Sequence, residues 1–122
     1  MENSIFVEAY ADKNPYATTV TYDGGKFIAD EKENAGGGGK GPNPGDLLAA
    51  SLATCTVITL KMYASRKGWS NENISTKVEM ISANGSTRFI RQINVDSSLT
   101  PEQRERMLQI AEKCPVHKIL SS

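Results

Sequence analysis

The chain is 122 residues long, with 39% hydrophobic and 23% charged residues, the length and balance of one globular domain with one core. Its 14 Lys+Arg offset 14 Asp+Glu, so the basic excess of a nucleic-acid or anionic-membrane binder is missing. Two cysteines are too few for a disulfide-built secreted scaffold. Met1-Glu2-Asn3-Ser4 opens without the basic and apolar regions of a signal peptide, and a cytoplasmic protein is expected. Ile5, Val7 and Ala9 alternate with polar neighbours as far as the break at Asp12-Lys13-Asn14-Pro15, which predicts a first strand. Tyr16, Thr18, Val20 and Tyr22 alternate again. Asp23-Gly24-Gly25 is a hairpin signal, and Lys26-Phe27-Ile28-Ala29 returns as a third strand.

Residues 30–43 read as a loop, because the run Gly36 to Gly39 favours no regular element. Such a loop lies over a site or is mobile. It does not make a phosphate-binding loop, since Lys40 is followed by Gly41 where Ser or Thr is needed. A long helix follows. Asn43 suits its N-cap, Pro44 its first position and Asp46 its first turn. Arg66 and Lys67 suit the last turn, and Gly68 stops it. A helix over 44–67 is about 36 Å long. The stretch Leu47–Leu60 carries no charge, so the helix must be buried on most sides. Taken alone, that stretch, with Ser51 and three threonines, is too short and too polar to span a bilayer. About five short strands cannot cover Leu47, Leu48, Leu52, Val57, Ile58 and Leu60, so an obligate homodimer is expected.

Ile74, Thr76, Val78 and Met80 form a further alternation, and Phe89, Arg91, Ile93 and Val95 another, interrupted by Arg91. Asn84-Gly85 is the turn between them. Thr100-Pro101-Glu102-Gln103 reads as a capping box that opens a helix over 100–113, with Met107, Leu108 and Ala111 as its apolar stripe. Cys114-Pro115 ends it and leaves Val116–Leu120 as a short tail. The order βββ-α-ββ-α predicts an α+β fold with antiparallel sheets and a long buried central helix, in a single domain over 1–122.

The chemistry rests on few residues. Cys55, near the middle of the long helix, is either a packed hydrophobe or a reactive thiol. Cys114 either packs or caps the segment Pro115–Leu120, where a helix dipole would lower its pKa. Two cysteines and His117, with no Cys-x-x-Cys, are too few ligands for a structural zinc site. His117 reads as a surface or packing residue rather than a base.

Two segments carry a resemblance. The first is Gly41-Pro42-Asn43-Pro44-Gly45-Asp46-Leu47-Leu48-Ala49-Ala50-Ser51-Leu52-Ala53-Thr54-Cys55, continued by Thr59-Leu60-Lys61-Met62-Tyr63-Ala64 and Arg66-Lys67-Gly68-Trp69. It resembles the central helix of the OsmC/Ohr family, which comprises osmotically inducible protein C, organic hydroperoxide resistance protein and their relatives. The second, Ala111-Glu112-Lys113-Cys114-Pro115-Val116-His117-Lys118-Ile119-Leu120, resembles the family's second cysteine motif. The resemblance implies an intertwined homodimer and a thiol peroxidase without a cofactor. Cys55 would be the peroxidatic cysteine and Cys114 the resolving one, with a thiol or dithiol reductant restoring both. An apolar setting would favour organic hydroperoxides, because an alkyl tail adds burial. The resolving role requires Cys114 to lie against the middle of the long helix. The family pattern also places a Glu ten positions before the first cysteine and an Arg in the N-terminal half. Here Gly45 holds the first position, beside Asp46, and no Arg precedes Arg66. Asp46, Lys40 and Arg66 (the last from a partner subunit) are therefore the expected supporting charges. The alternative is a non-catalytic module that holds a small apolar or acyl ligand in the cleft beside Cys55. A Cys55 thiol titrating above about 8.5 would favour it.

Overall fold

The structure is a computed structural model that describes residues 4–13 and 15–121. The chain folds into two compact units, with the division between Leu47 and Leu48.

In the first unit β1 (Glu8–Ala11), β2 (Thr18–Tyr22) and β3 (Gly25–Ala29) form an antiparallel sheet in chain order. The expected first strand starts late. Ile5, Phe6 and Val7 lie exposed outside the ladder. Pairing of β1 runs from Glu8 opposite Thr21 to Ala11 opposite Thr18, and β2 turns away after Tyr22, so little remains for residues 5–7 to pair with. The loop after β3 is closely folded around Asp30. The Asp30 amide donates to the Pro42 carbonyl at 3.1 Å, and its carboxylate accepts from the amides of Glu31 (2.7 Å) and Lys40 (3.1 Å). A single 3-10 turn, Glu33–Ala35, ends at Gly36 with φ 92°. A methyl group on Gly37 would overlap the Glu31 carbonyl, and one on Gly41 the Ile28 carbonyl. These glycines are needed for close backbone approach rather than for mobility.

The long helix α1 (Pro44–Lys67) has the ends its sequence predicts. Asn43 Oδ1 accepts from the Asp46 amide at 2.7 Å, and Asp46 Oδ2 accepts from the Asn43 amide at 3.1 Å, a reciprocal cap. Gly68 stops the helix at φ 72°. Leu52, Thr56, Leu60, Tyr63 and Ala64 form its buried stripe, while Leu48, Ile58 and Met62 are exposed. Taken whole, α1 is long and apolar enough to cross a membrane by length and composition, with a mean hydropathy of 1.5 over its best window. This differs from the reading of Leu47–Leu60 alone, because the residues flanking that stretch extend it. A core helix in a soluble protein has the same profile.

In the second unit β4 (Ser75–Ala83) and β5 (Ser86–Asn94) form a hairpin over Asn84 (φ 54°) and Gly85 (φ 79°). Positive φ at both turn residues matches the twist of the strands. The register sets Thr76 opposite Ile93, Val78 opposite Arg91 and Met80 opposite Phe89, all on one face. Helix α2 (Pro101–Ala111) opens with the full Thr100–Gln103 capping box. Its buried residues are Met107, Ile110 and Ala111. Ile110 takes the place expected for Leu108, which is 53% exposed, because i, i+3, i+4 spacing from Met107 defines the inward face. Instead of a short tail there is a third helix, α3 (Pro115–Ser121). Pro115 brings a φ suited to the first turn and lacks only an N–H that would have no partner there. The core joins Leu60, Tyr63 and Ala64 of α1 to Leu99, Met107, Ile110 and Ala111, with Trp69, Ile74, Ile93 and Val95 packed against it.

Candidate active site

The site lies wholly in the second unit, where α1, β5, the end of α2 and the start of α3 converge. The structure brings Cys55 and Cys114 together: both are free thiols, and each acts on the ionisation of the other. Cys55 is half-buried, whereas Cys114 is fully buried. The Cys114 carbonyl accepts from the Lys118 amide at 3.1 Å, which sets the sulfur at the entrance to α3.

The two thiols have different surroundings. Burial pushes the Cys55 thiol up, and its bond to Cys114 pushes it further, against smaller downward effects from the Val116 amide and the Thr59 hydroxyl. Burial also opposes ionisation of Cys114. There it is outweighed by hydrogen bonds from Cys55, the His117 amide, the Thr56 hydroxyl and the Val116 amide, so this thiol lies below its ordinary value. Of the two, Cys114 is the thiol whose ionisation the surroundings favour.

A largely buried arginine stands behind this arrangement. Arg91 Nη1 donates to Thr56 Oγ1 at 3.0 Å and to the Ala111 carbonyl at 3.2 Å. Its Nη2 pairs with Glu112 Oε2 at 2.8 Å. Thr56 Oγ1 lies 4.0 Å from Cys114 Sγ and 2.7 Å from the Leu52 carbonyl. His117 Nε2 lies 3.6 Å from the other oxygen of Glu112. The fork of one guanidinium thus ties β5 to α1 and to the last carbonyl of α2. Beside it is a cavity of about 530 Å³ lined by Leu52, Phe89, Leu108 and Leu120 together with Arg91, Glu112 and His117. Neither cysteine lines that cavity.

Within one chain, neither Asp46 nor Arg66 lies beside Cys55 along α1. Asp46 caps α1 about 13 Å of helix before Cys55. Arg66 lies about 16 Å of helix beyond Cys55 in the last turn, where its charge acts on Tyr63. Lys40 belongs to the Asp30 loop of the first unit. The cation bound next to the thiol pair is Arg91, which sequence reasoning registered only as a break in the alternation of β5. That break was the available signal, because a cation on an apolar strand face needs buried acceptors. Thr56 and Glu112 gave no signal of their own. Among the described residues no group of three or more His, Cys, Asp and Glu is arranged to hold a metal ion.

The model of the OsmC-like protein family matches residues 37–122. Solved structures share the fold at low identity. A candidate osmotic-stress-induced and detoxification-response protein of Psychrobacter arcticus is 20% identical with a TM-score of 0.80, over 97% of this chain and 89% of that one. An OsmC-like protein of Mycoplasma pneumoniae is 16% identical with a TM-score of 0.73, over 100% of this chain and 90% of that one. The organic hydroperoxide resistance protein OhrB of Bacillus subtilis is 24% identical with a TM-score of 0.62, over 96% and 90%. No curated protein matches the sequence.

Proposed function

The chain belongs to the OsmC-like protein family, and from that premise we propose that it is a thiol-dependent peroxide reductase acting on organic hydroperoxides. The observation that carries the reading is the pair of neighbouring free thiols, one half-buried and one fully buried, beside a largely buried arginine. Family membership supports a peroxide-related redox role in general. In this reading the Cys55 sulfur attacks the outer oxygen of a hydroperoxide. The O–O bond breaks, an alcohol leaves, and Cys55 becomes a sulfenic acid. The Cys114 thiolate then attacks that sulfur, expels hydroxide and forms a disulfide. A thiol or dithiol reductant supplies two electrons to restore both thiols. No cofactor enters the cycle. The protein works in the cytoplasm as a homodimer with residues 1–122 as its single functional domain. The exposed Leu48, Ile58 and Met62 of α1 support the dimer.

Consumption of cumene hydroperoxide or tert-butyl hydroperoxide with dithiothreitol as reductant tests the reading. Wild type is expected to turn over, and Cys55→Ser to lose at least about 100-fold. Equal rates for the two would sink it.

A non-catalytic binding module is favoured by one observation, the upward shift of Cys55. In that reading a small apolar or acyl ligand occupies the cavity beside Arg91, against Leu52, Phe89 and Leu120, and reduced protein is left unoxidised by either peroxide.

A further inference from the structure

We propose that Cys114 is the base that activates Cys55, so that one negative charge shared by the pair serves both the attack on peroxide and the resolution that follows. This rests on the peroxidase reading and answers the difficulty that reading leaves. The less buried member of the pair is the one a peroxide from solvent meets, yet Thr56 and the guanidinium behind it stand against the buried member.

The geometry supplies the reason. Thr56 Oγ1 accepts a hydrogen bond from Arg91 Nη1 at 3.0 Å, which leaves the hydroxyl's own proton to donate. That proton has two acceptors, the Leu52 carbonyl at 2.7 Å and Cys114 Sγ at 4.0 Å. A neutral thiol does not compete with the carbonyl, but a charged sulfur does. The Arg91 guanidinium is thus relayed to Cys114 through one hydroxyl. The Val116 and His117 amides act on the same sulfur. The charged or titratable groups facing the pair are Cys55 itself on α1, Arg91 on β5, Glu112 after α2 and His117 on α3. Glu112 is engaged on one oxygen by Arg91 and approached on the other by His117, while Arg91 is linked to the Cys114 sulfur through Thr56 and to the Cys114 amide through the Ala111 carbonyl.

The proton balance closes. Cys55–SH gives its proton to Cys114–S⁻ as its sulfur takes the outer oxygen of ROOH and the O–O bond breaks. The leaving alkoxide takes that proton from Cys114–SH and departs as ROH. Cys114 is again a thiolate, and attacks the Cys55 sulfenic acid to give the disulfide and hydroxide.

The test is the pH dependence of the first step alone. Reduced full-length protein is mixed with cumene hydroperoxide in single turnover, and formation of the Cys55 sulfenic acid is followed between about pH 5 and pH 10. Wild type, Cys114→Ala, Cys114→Ser and Thr56→Val are compared. Both Cys114 variants are expected to form the sulfenic acid at least about tenfold more slowly at neutral pH, and to approach wild type only as Cys55 ionises by itself. Thr56→Val should shift the profile the same way by less. Cys114→Ser keeps size and polarity, so a folded variant is available if alanine disturbs packing. The same rate and pH profile in Cys114→Ser as in wild type would overturn the inference while leaving the peroxidase reading intact. No sulfenic acid or disulfide in wild type at any pH would overturn both.

Discussion

Each unit of this protein contains a charge fixed by several hydrogen bonds, Asp30 in one and Arg91 in the other, and the two are held in opposite ways. Asp30, in the first unit, is held by the backbone. Burial opposes its ionisation, but the amides of Lys40, Glu31 and Gly38, with the Lys40 charge, keep its carboxyl below the ordinary value. All of those donors come from one short loop, and glycines let the loop close on it. Arg91, in the second unit, is held by groups far apart in sequence: Thr56, the Ala111 carbonyl and Glu112. The first arrangement shapes a loop. The second links three elements and passes its influence on to a sulfur. A local charge site is closed on itself, whereas a long-range one can bias chemistry at the place where its elements meet.

The contrast can be broken at the loop first. Gly41→Ala sets a methyl group against the Ile28 carbonyl and pushes Pro42 away from the Asp30 amide. A loss of about 3 kcal/mol is expected in urea unfolding, with thiol reactivity of the folded protein unchanged. A loss below about 0.5 kcal/mol would mean that the loop is not closely built.

Arg91→Met should cost less in stability but act on both levels. It leaves Thr56 Oγ1 without its donor and the Ala111 carbonyl with the Cys114 amide in place of two donors, for a loss of about 2 kcal/mol. It should also raise the pH at which the thiol pair first ionises, read by ultraviolet thiolate absorbance. An unchanged thiol titration would confine Arg91 to a structural role.

Asp96 offers the smallest test, as a carboxylate in the second unit held partly by its neighbour Ser98 and partly by the distant Ser70 and Asn73. The Ser98 amide, then the Ser98 and Ser70 hydroxyls, hold it at about 2, with Asn73 adding to them against a small opposing effect of burial. A folded-state value below the unfolded one contributes stability that is complete above about pH 4 and disappears as the pH falls through about 2. Asp96→Asn should therefore flatten the stability profile in that window. A wild-type curve already flat there would show that those bonds do not persist in solution.

These regions were unequally legible in the sequence. Local signals translated directly. Asn43, Pro44, Asp46 and Gly68 bound α1, Thr100 and Gln103 open α2, and Asn84-Gly85 turns the hairpin. Each depends on bonds within a few residues. What escaped depends on partners. Ile5 and Val7 alternate like a strand but have little strand opposite them. Leu108 is apolar yet faces outward, because the partner of α2 selects Ile110. The run of glycines suggested mobility, and only the approach of Glu31 and Ile28 shows why it is needed. The two cysteines and their motifs were visible at once, but the charge beside them was sought in Asp46, Lys40 and Arg66. Arg91 was legible as an oddity in β5. Its acceptors lie on α1 and at the end of α2, and no spacing rule connects them.

Cys55 and Cys114 are distant along the chain, with β4, β5 and α2 lying between them. A bond between their sulfurs would close all three elements into one covalent ring. Ring closure of that size restricts the unfolded chain by about 4 kcal/mol. By the thermodynamic cycle, the oxidised fold gains that amount over the reduced fold. The reduction potential of the native couple then falls below that of the same couple in the unfolded chain by about 85 mV. The protein would be toughest to unfold at the moment it has consumed an oxidant, and the reductant that resets it would work against its architecture as well as its sulfur chemistry.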